Sequence, residues 1–337
     1  FLYAHKQTWS NPASLNGGPV FEDRQRLLST CRPMHLWSTA SLSLAEKSTA
    51  SGNNPFHKLL RIASNVEANE VRALVGSFLF VVVLMAAYYI LRPVRDAMAS
   101  DWTDAEVSWL WTLNFFISTA VVALYGVLVS HFRLRLLVPA IYGIFALTFL
   151  SFFVLASTMA DRTLVDKSFY VWVSVFSLFH ISVFWSFMSD LFNKEQAGRL
   201  FGIIAAGASV GGLIGPSIPS FFSASLGTDN LLLLASGMLL VPIPIIFYLQ
   251  SLKSTDLQNG GLAEATSEVK IGGNPLAGFK LFFSNPYLMA IGLFIFLYTG
   301  ISSFVYFELK NLLSELSRAE RTAVWAQMDL AVNVLSI

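Results

Sequence analysis

The first long apolar run of the chain, residues 73–91, contains no charged side chain. Each residue of an α-helix adds about 1.5 Å of length, and the hydrocarbon core of a bilayer is about 30 Å thick. A helix formed by this run is therefore long enough to cross a membrane. The run ends at a charged junction, where Arg92 and Arg95 flank Pro93 and Asp96 follows directly.

Six further uncharged runs are also long enough to span a bilayer as helices. They are residues 107–130, 136–160, 168–189, 200–228, 230–252 and 281–307. Short connectors join the first six runs, whereas residues 253–280 form a longer, polar and glycine-rich connector. Six helices, a hydrophilic loop and further helices are the plan of a transporter with two halves.

The predicted fold class is therefore all-α, a polytopic membrane helical bundle with a six-helix N-terminal half and the start of a second half. Residues 1–70 contain breakers such as Asn53-Asn54-Pro55 and no sustained periodicity, so we expect a poorly ordered N-terminal segment. Residues 71–252 are predicted to form the six-helix transmembrane bundle and residues 253–280 the central hydrophilic loop. Residues 281–337 are predicted to be the truncated start of a C-terminal bundle, because the chain stops inside an apolar run.

Composition favours a lipid bilayer as the main partner and excludes several classes of function. Apolar residues make up 55% of the chain and charged residues 13%, against roughly a quarter charged in soluble domains. The net charge of +1 gives no argument for nucleic acid. The five histidines and the single Cys31 have no metal-ligand spacing, so no metal or cofactor is expected. No nucleophile, base and orienting group recur together, so no enzymatic activity is expected. The oligomeric state stays open.

The charged junction has two interpretations. Arg92 and Arg95 can anchor the helix end, because cations interact favourably with a helix C-terminus and can extend to the interface. Alternatively, Pro93 stops the helix and one guanidinium turns inward, where its planar fork suits a phosphate or carboxylate. Tyr88 and Tyr89, one turn earlier, either supply hydroxyls and a stacking face or lie at the interface.

Few polar residues lie within the apolar runs. Asn114 in the second run and His180 in the fourth are further candidates for a cavity, although His180 also suits a hydrogen-bonded packing role. The seven runs contain no Asp or Glu. Because intramembrane carboxylates are the usual means of proton coupling, the sequence favours exchange over a proton-driven mechanism.

The connector between the fourth and fifth runs is an alternating charge cluster that includes Asp190 and Arg199. It is either a solvated loop or a set of inter-helix salt bridges that breaks during transport. On the second interpretation, Asp190 and Arg199 are gating residues.

Glycines recur at every fourth position in the fifth run, at Gly207, Gly211 and Gly215. This spacing gives one smooth helix face, against which a neighbouring backbone can pack closely. A phosphate-binding loop is the alternative, but such loops follow a strand and open a soluble helix, and no such context is present.

Two segments resemble the major facilitator superfamily. Residues 126–135, GVLVSHFRLR, resemble its loop signature in the leading glycine and the trailing arginines. Residues 211–216, GGLIGP, resemble its Gly-x-x-x-Gly-Pro element.

Three segments together resemble bacterial relatives of the ATP/ADP carrier (nucleotide exchange) family, which is related to that superfamily. They are residues 87–97, AYYILRPVRDA; residues 182–187, SVFWSF, continuing to Gly215-Pro216; and residues 321–330, RTAVWAQMDL. The resemblance implies a twelve-helix fold and exchange of adenine nucleotides, with Arg95-Asp96 handling the nucleotide. The fourth-span glutamate of characterised exchangers would fall at Val173 or Ser174, so the resemblance favours an anion over ATP specifically.

The sequence therefore predicts a multi-pass transporter of the bacterial inner membrane that works by alternating access on an anionic metabolite, such as ATP and ADP in exchange. Arg95 and Arg92 are the first candidates for binding this small anion, and Tyr88, Tyr89, Asn114 and His180 are secondary candidates. One alternative is a permease for an unrelated metabolite or drug. Another is a non-transporting membrane module with a carrier fold.

Overall fold

The computed structural model describes residues 66–132, 134–257 and 282–336, which all belong to the compact unit Leu59–Ile337. The expected disorder of residues 1–65 and most of the predicted loop 253–280 lie outside the described residues. Helices account for nearly all of the described chain. Their bounds are α1 Val71–Ala99, α2 Asp104–His131, α3 Leu134–Thr158, α4 Thr163–Leu191, α5 Lys194–Leu226, α6 Thr228–Leu240, α7 Pro242–Thr255, α8 Pro286–Leu312 and α9 Arg318–Leu335, with a single 3₁₀ turn at Leu313–Glu315.

Seven segments among the described residues are long and apolar enough to cross a membrane, and each overlaps one predicted run. α6 and α7 together form one of these spans, Thr228–Thr255. α9 is more polar and is not one of the seven. The predicted all-α membrane bundle is thus confirmed.

The prediction that Pro93 stops the first helix is wrong, because α1 continues through Pro93 to Ala99. A proline removes one backbone donor, and membrane helices tolerate this loss where neighbouring helices surround the freed carbonyl. Pro93 itself is buried between such neighbours. Arg92, Arg95 and Asp96 consequently project from a continuous helix rather than from a loop.

The glycine face of α5 packs closely against α1, as the sequence predicts. A Cβ atom on Gly207 would lie 2.9 Å from the carbonyl oxygen of Phe78, and one on Gly215 would lie 2.7 Å from that of Ala86. A Cβ atom on Gly211, between them, would overlap the carbonyl oxygen of Val82. The two backbones can approach this closely only because these three positions of α5 carry no side chain.

Aromatic rings fill the centre of the first six spans. Phe80 of α1 lies edge-on against Tyr142 of α3, with 5.5 Å between ring centroids, and against Phe184 of α4 at 5.0 Å. All three rings are fully buried. This core fixes α1 in the middle of the bundle, so the charged side chains near its C-terminal end face neighbouring helices.

α9 packs against α5 and α1 and so brings the start of the second half onto the first. A capping box at Ser317 and Glu320 begins this helix, and a similar box at Thr103 and Glu106 begins α2. These caps satisfy the free backbone N–H groups of the first turn. The caps define where α2 and α9 begin, and so they position the charged residues in the first turn of each helix.

Candidate functional site

Arg95 of α1 lies beside the acidic residue that follows it. Its Nε and Nη2 atoms donate to Asp96 Oδ1 at 2.9 and 2.7 Å. Its Nη1 atom donates to the Ser174 hydroxyl of α4 at 3.4 Å, and its guanidinium lies 5.6 Å from the Tyr170 ring centroid. Ser174 is one of the two positions at which the resemblance would place a glutamate, and it reaches Arg95 without supplying charge.

Arg92, one turn earlier, joins α1 to α9. Its Nη1 atom lies 3.1 Å from Asp329 Oδ1, and its Nε atom lies 3.8 Å from Asp96 Oδ2. Arg92, Arg95, Asp96 and Asp329 therefore form one ionic network, which we call the arginine–aspartate quartet. Its two positive and two negative side chains sum to zero formal charge.

The quartet contradicts the premise that the spans lack carboxylates. Asp96 is buried within α1, which is one of the seven spans, and Asp329 is buried within α9, which is not. The predicted run ends before the first charged residue, and Asp96 lies beyond that end on the same helix. The sequence argument for exchange over a proton-driven mechanism therefore loses its basis.

Aromatic side chains form a wall beside the quartet. The Tyr306 hydroxyl of α8 donates to Asp96 Oδ1 at 3.4 Å and lies 3.3 Å from the Tyr170 hydroxyl. Trp111 of α2 donates to the same Tyr170 hydroxyl at 2.7 Å. The Trp325 ring of α9 lies 5.4 Å from that of Tyr306. Sequence reasoning missed this wall, because its members come from four helices and share no motif.

Tyr88 and His180 pack together near the quartet. Their rings stack with centroids 4.6 Å apart and planes 22° apart. His180 is buried, with Nδ1 lying 3.1 Å from the Phe176 carbonyl oxygen, and Nε2 has no hydrogen-bond partner among the described residues. Tyr89 lies edge-on to Tyr88. The structure thus gathers three of the four secondary candidates around α1, and the cavity role of each stays a prediction.

Asn114 lies in a groove on α2 and α4 that shares Trp111 with the aromatic wall. The Ser118 hydroxyl donates to Asn114 Oδ1 at 3.2 Å. The groove has a volume of about 390 Å³ and is lined by Trp111, Asn114, Phe115, Ser118, Thr119, Val122 and Leu178. Asn114 therefore faces a different space from the quartet.

Asp190 and Arg199 both form salt bridges, but with different partners. Lys253 Nζ of α7 lies 2.8 Å from Asp190 Oδ2. Arg199 lies 3.1 Å from Glu67 Oε1 and 2.7 Å from Glu70 Oε1, just before α1. We call these five residues the Arg199 cluster. Its described bridges all join helices of the first six spans, and its gating role stays a prediction.

A second charged layer lies at the opposite end of α1 and connects the two halves. Arg318 of α9 lies 2.6 Å from Asp101 Oδ2 and 2.9 Å from Asp166 Oδ2. Arg321 lies 2.5 Å from Asp101 Oδ1. The buried Lys310 ammonium of α8 also crosses, to Asp104 at 3.0 Å. We call this layer the Asp101 belt; its members are Asp101, Asp104, Asp166, Lys310, Arg318 and Arg321.

Three of the six belt charges oppose the dipole of the helix beside them, whereas Asp104 and Asp166 in first turns and Lys310 in a last turn are favourably placed. Arg318 and Arg321 lie in the first turn of α9, where cations are unfavourable, and Asp101 follows the C-terminus of α1, where anions are unfavourable. Burial lowers the pKa of Arg318, but the carboxylates of Asp166 and Asp101 raise it more, so its pKa lies above the ordinary value. The carboxylates of the first half therefore stabilise the charged form of Arg318. Sequence reasoning missed the belt, although the close spacing of Asp101 with Asp104 and of Arg318 with Arg321 was a usable signal.

The fold and the site together define a multi-pass helical membrane protein in which a six-span half meets the start of a second half at charged contacts. A family model described as Major Facilitator Superfamily matches residues 77–325. The chain belongs to this superfamily, whose members are membrane transporters. Among the described residues, no group of three or more His, Cys, Asp and Glu side chains could hold a metal ion.

One relative is the agnestins efflux protein AgnL12 of Paecilomyces divaricatus, which is 26% identical over 178 residues. The match covers 52% of this chain and 39% of that protein, so the chain spans about two fifths of the length of this relative. No solved structure matches the chain.

Proposed function

We propose that the full-length protein is a transporter that moves an anionic metabolite by alternating access, with Arg92 and Arg95 binding the anion. The arginine–aspartate quartet is the observation that carries this proposal. It holds two guanidinium groups at the contact between α1 and α9, which belong to different halves. In two-halved carriers the substrate binds between the halves, so a ligand bound here touches both moving parts.

The chemistry of arginine supports an anion over a neutral solute. A guanidinium presents a rigid fork of donors that matches phosphate and carboxylate oxygens, and it remains charged at every physiological pH. Arg92 is the more accessible of the two, with 37% of its side chain exposed against 15% for Arg95. We therefore assign first contact with the substrate to Arg92 and deeper binding to Arg95.

The aromatic wall supports a substrate that carries a ring, such as a nucleotide. Tyr306, Tyr170 and Trp111 lie on one side of the quartet, and Tyr88 lies on α1 itself. Aromatic faces attract planar bases through stacking. ADP and ATP, which the resemblance to nucleotide exchangers suggests, are thus the first substrates to test, and a bacterial inner membrane is the corresponding location.

A permease for an unrelated metabolite or drug is the second candidate. The name of the fungal relative, an efflux protein for agnestins, favours it. The zero formal charge of the quartet also favours it, since neither arginine is left uncompensated. On this hypothesis Arg92 and Arg95 hold the helices together and do not touch the substrate.

A stability screen separates these candidates. Purified full-length protein is heated with ADP, ATP, adenosine or no ligand, because a ligand that prefers the folded state raises the apparent melting temperature. The anion proposal predicts stabilisation by ADP and ATP and none by adenosine. Equal effects of all three compounds, or of none, would contradict it. Stabilisation by ADP without any flux into vesicles would instead indicate a non-transporting module.

A further inference from the structure

We propose that Asp329 competes with the substrate anion for Arg92, and that it takes up one proton from the aqueous phase when it is displaced. The carrier would then move each anion together with a proton. The competition rests on the proposed function, whereas the protonation of Asp329 depends only on its separation from Arg92. The two parts can therefore be tested separately.

Charge balance is the first argument. The quartet is neutral before substrate enters, so an anion adds a net negative charge beside Asp96 and Asp329, whose side chains are only 3% and 12% exposed. Uncompensated charge in such surroundings is costly, and an ionisable group there becomes neutral instead. Protonation of one carboxylate restores the original balance.

Asp329 is the carboxylate with fewer partners. Asp96 accepts two hydrogen bonds from Arg95 and one from Tyr306. Within the described chain, the single ion pair of the Asp329 carboxylate is with Arg92, whose Nη1 atom lies 3.1 Å from Oδ1. A substrate that takes over this one contact leaves Asp329 without a cation. To leave Asp96 without a cation, it would also have to separate Asp96 from the adjacent Arg95.

The surroundings of Asp329 make Arg92 the group that keeps it ionised. From α1, Arg92 and Arg95 favour the charged carboxylate and Asp96 opposes it. Tyr306 of α8 contacts Asp96 and packs against Trp325 of α9. The charged side chains of α5, including Arg199, lie in its first two turns at the far end. The one charged side chain of α6, Asp229, pairs with Arg162. Without the Arg92 charge, burial and Asp96 both favour the protonated form.

The same exchange of partners would couple binding to motion. The Arg92–Asp329 ion pair joins α1 of the first half to α9 of the second. An anion that takes Arg92 from Asp329 removes this link, and the proton removes the charge that would otherwise pull the two groups together again. Loading of the substrate therefore weakens one of the contacts that holds the halves in this arrangement.

Infrared spectroscopy of the purified full-length protein tests the protonation without any substrate. In Arg92→Gln, the proposal predicts a carbonyl-stretch band of a protonated carboxylic acid that the parent protein lacks. The band should disappear in the double variant Arg92→Gln with Asp329→Asn, and it should persist when Asp256→Asn replaces Asp329→Asn as the control. Absence of the band in Arg92→Gln, or its survival in the Asp329 double variant, would overturn the proposal.

Binding of ADP in weakly buffered solution tests the competition. The parent protein should take up about one proton for each ADP bound, and Asp329→Asn should take up none. Because the competing charge is gone, Asp329→Asn should bind ADP on the order of tenfold tighter, about 1.4 kcal/mol. Equal affinity with no proton uptake by either protein would refute the competition. Failure of both proteins to bind ADP would contradict the nucleotide, and the infrared result would still decide the protonation.

Discussion

Arg95 is the residue on which the anion proposal depends most. Its guanidinium donates twice to Asp96 and once to Ser174, and it lies over the Tyr170 ring. All of these partners hold the guanidinium in one orientation. A binding group held in this way loses little freedom when a ligand arrives, which favours affinity.

Replacement of Arg95 should therefore weaken binding strongly. We expect Arg95→Gln to lower ADP affinity by a factor on the order of 10 to 100, since hydrogen bonds to charged groups contribute about 1.5–3 kcal/mol. Titration calorimetry on the purified full-length protein measures this. Arg72→Gln is the matched control, because Arg72 lies at the other end of α1 with 69% of its side chain exposed. Equal ADP affinity in Arg95→Gln and Arg72→Gln would contradict the assigned role.

At the residue level, the sequence predicts the arginines of the site on α1 but not the residues of α8 and α9 that contact the same site. Arg92 and Arg95 are identifiable because two cations directly follow an apolar run. Asp329 and Tyr306 lie more than 200 residues away along the chain, and only folding brings them to the arginines. Asn114 is a polar residue inside a predicted span, but its position around the helix turns it toward a different groove.

α1 shows where span prediction from charge alone fails. The apolar run ends at Leu91 because Arg92 is charged, yet the helix continues to Ala99. Charges inside a helix are tolerated when partners lie on the same helix or on its neighbours, and here Asp96 and Asp329 supply them. Nothing in the sequence pairs Asp329 with Arg92, so the predicted helix end lies too early in the chain.

The contact between α5 and α1 gives a prediction at the scale of elements. Gly211→Ala should destabilise the protein, because the new Cβ would overlap the Val82 carbonyl oxygen. Overpacking of this kind costs about 1–3 kcal/mol, so we expect a clearly lower melting temperature in detergent.

Gly202→Ala is the matched control for this substitution. Gly202 lies on the same helix, and a Cβ atom there meets no other atom within 4 Å. The control should leave the melting temperature nearly unchanged or slightly raised, since alanine favours helix over glycine. Equal melting temperatures for the two variants would show that the glycine face does not determine the packing.

The whole molecule carries charged layers at both ends of α1, and the two layers differ in what they connect. The Arg199 cluster joins helices of the first six spans, whereas the Asp101 belt joins that half to α8 and α9. Motion of one half against the other must therefore break the belt. The number of spans follows from the sequence, because length and missing charge define each span. Which helices each charged layer connects cannot be predicted from the sequence, because this depends on which helix ends meet in the fold.

Weakening the belt should open that end of the molecule. We expect the double variant Arg318→Ala with Arg321→Ala to raise several-fold the rate at which a polar thiol reagent labels Ser100→Cys, measured in nanodiscs with Cys31 replaced by Ser. Ser100 is buried just before Asp101, so it reports on this end. Arg72→Ala, at the far end of α1, is the control and should leave the rate unchanged. An unchanged rate in the double variant would show that the belt does not close this end.

The same reporter tests the gating role predicted for Asp190 and Arg199. If the bridges of the Arg199 cluster hold one conformation of the carrier, Arg199→Gln should shift the balance of conformations and change the labelling rate of Ser100→Cys. If they only fasten the first six spans together, the rate should stay the same while the melting temperature falls. The two measurements on one variant separate the interpretations.

Flux through the full-length protein is the most direct test of the central claim, that this member of the superfamily transports an anion through the arginine–aspartate quartet. Uptake of labelled ADP and of labelled adenosine is measured in proteoliposomes, for the parent protein and for Arg95→Gln. We predict that the parent protein takes up ADP and excludes adenosine, and that Arg95→Gln takes up neither although it is reconstituted in equal amount. Equal uptake of ADP by the parent protein and Arg95→Gln, or uptake of adenosine alone, would contradict the claim.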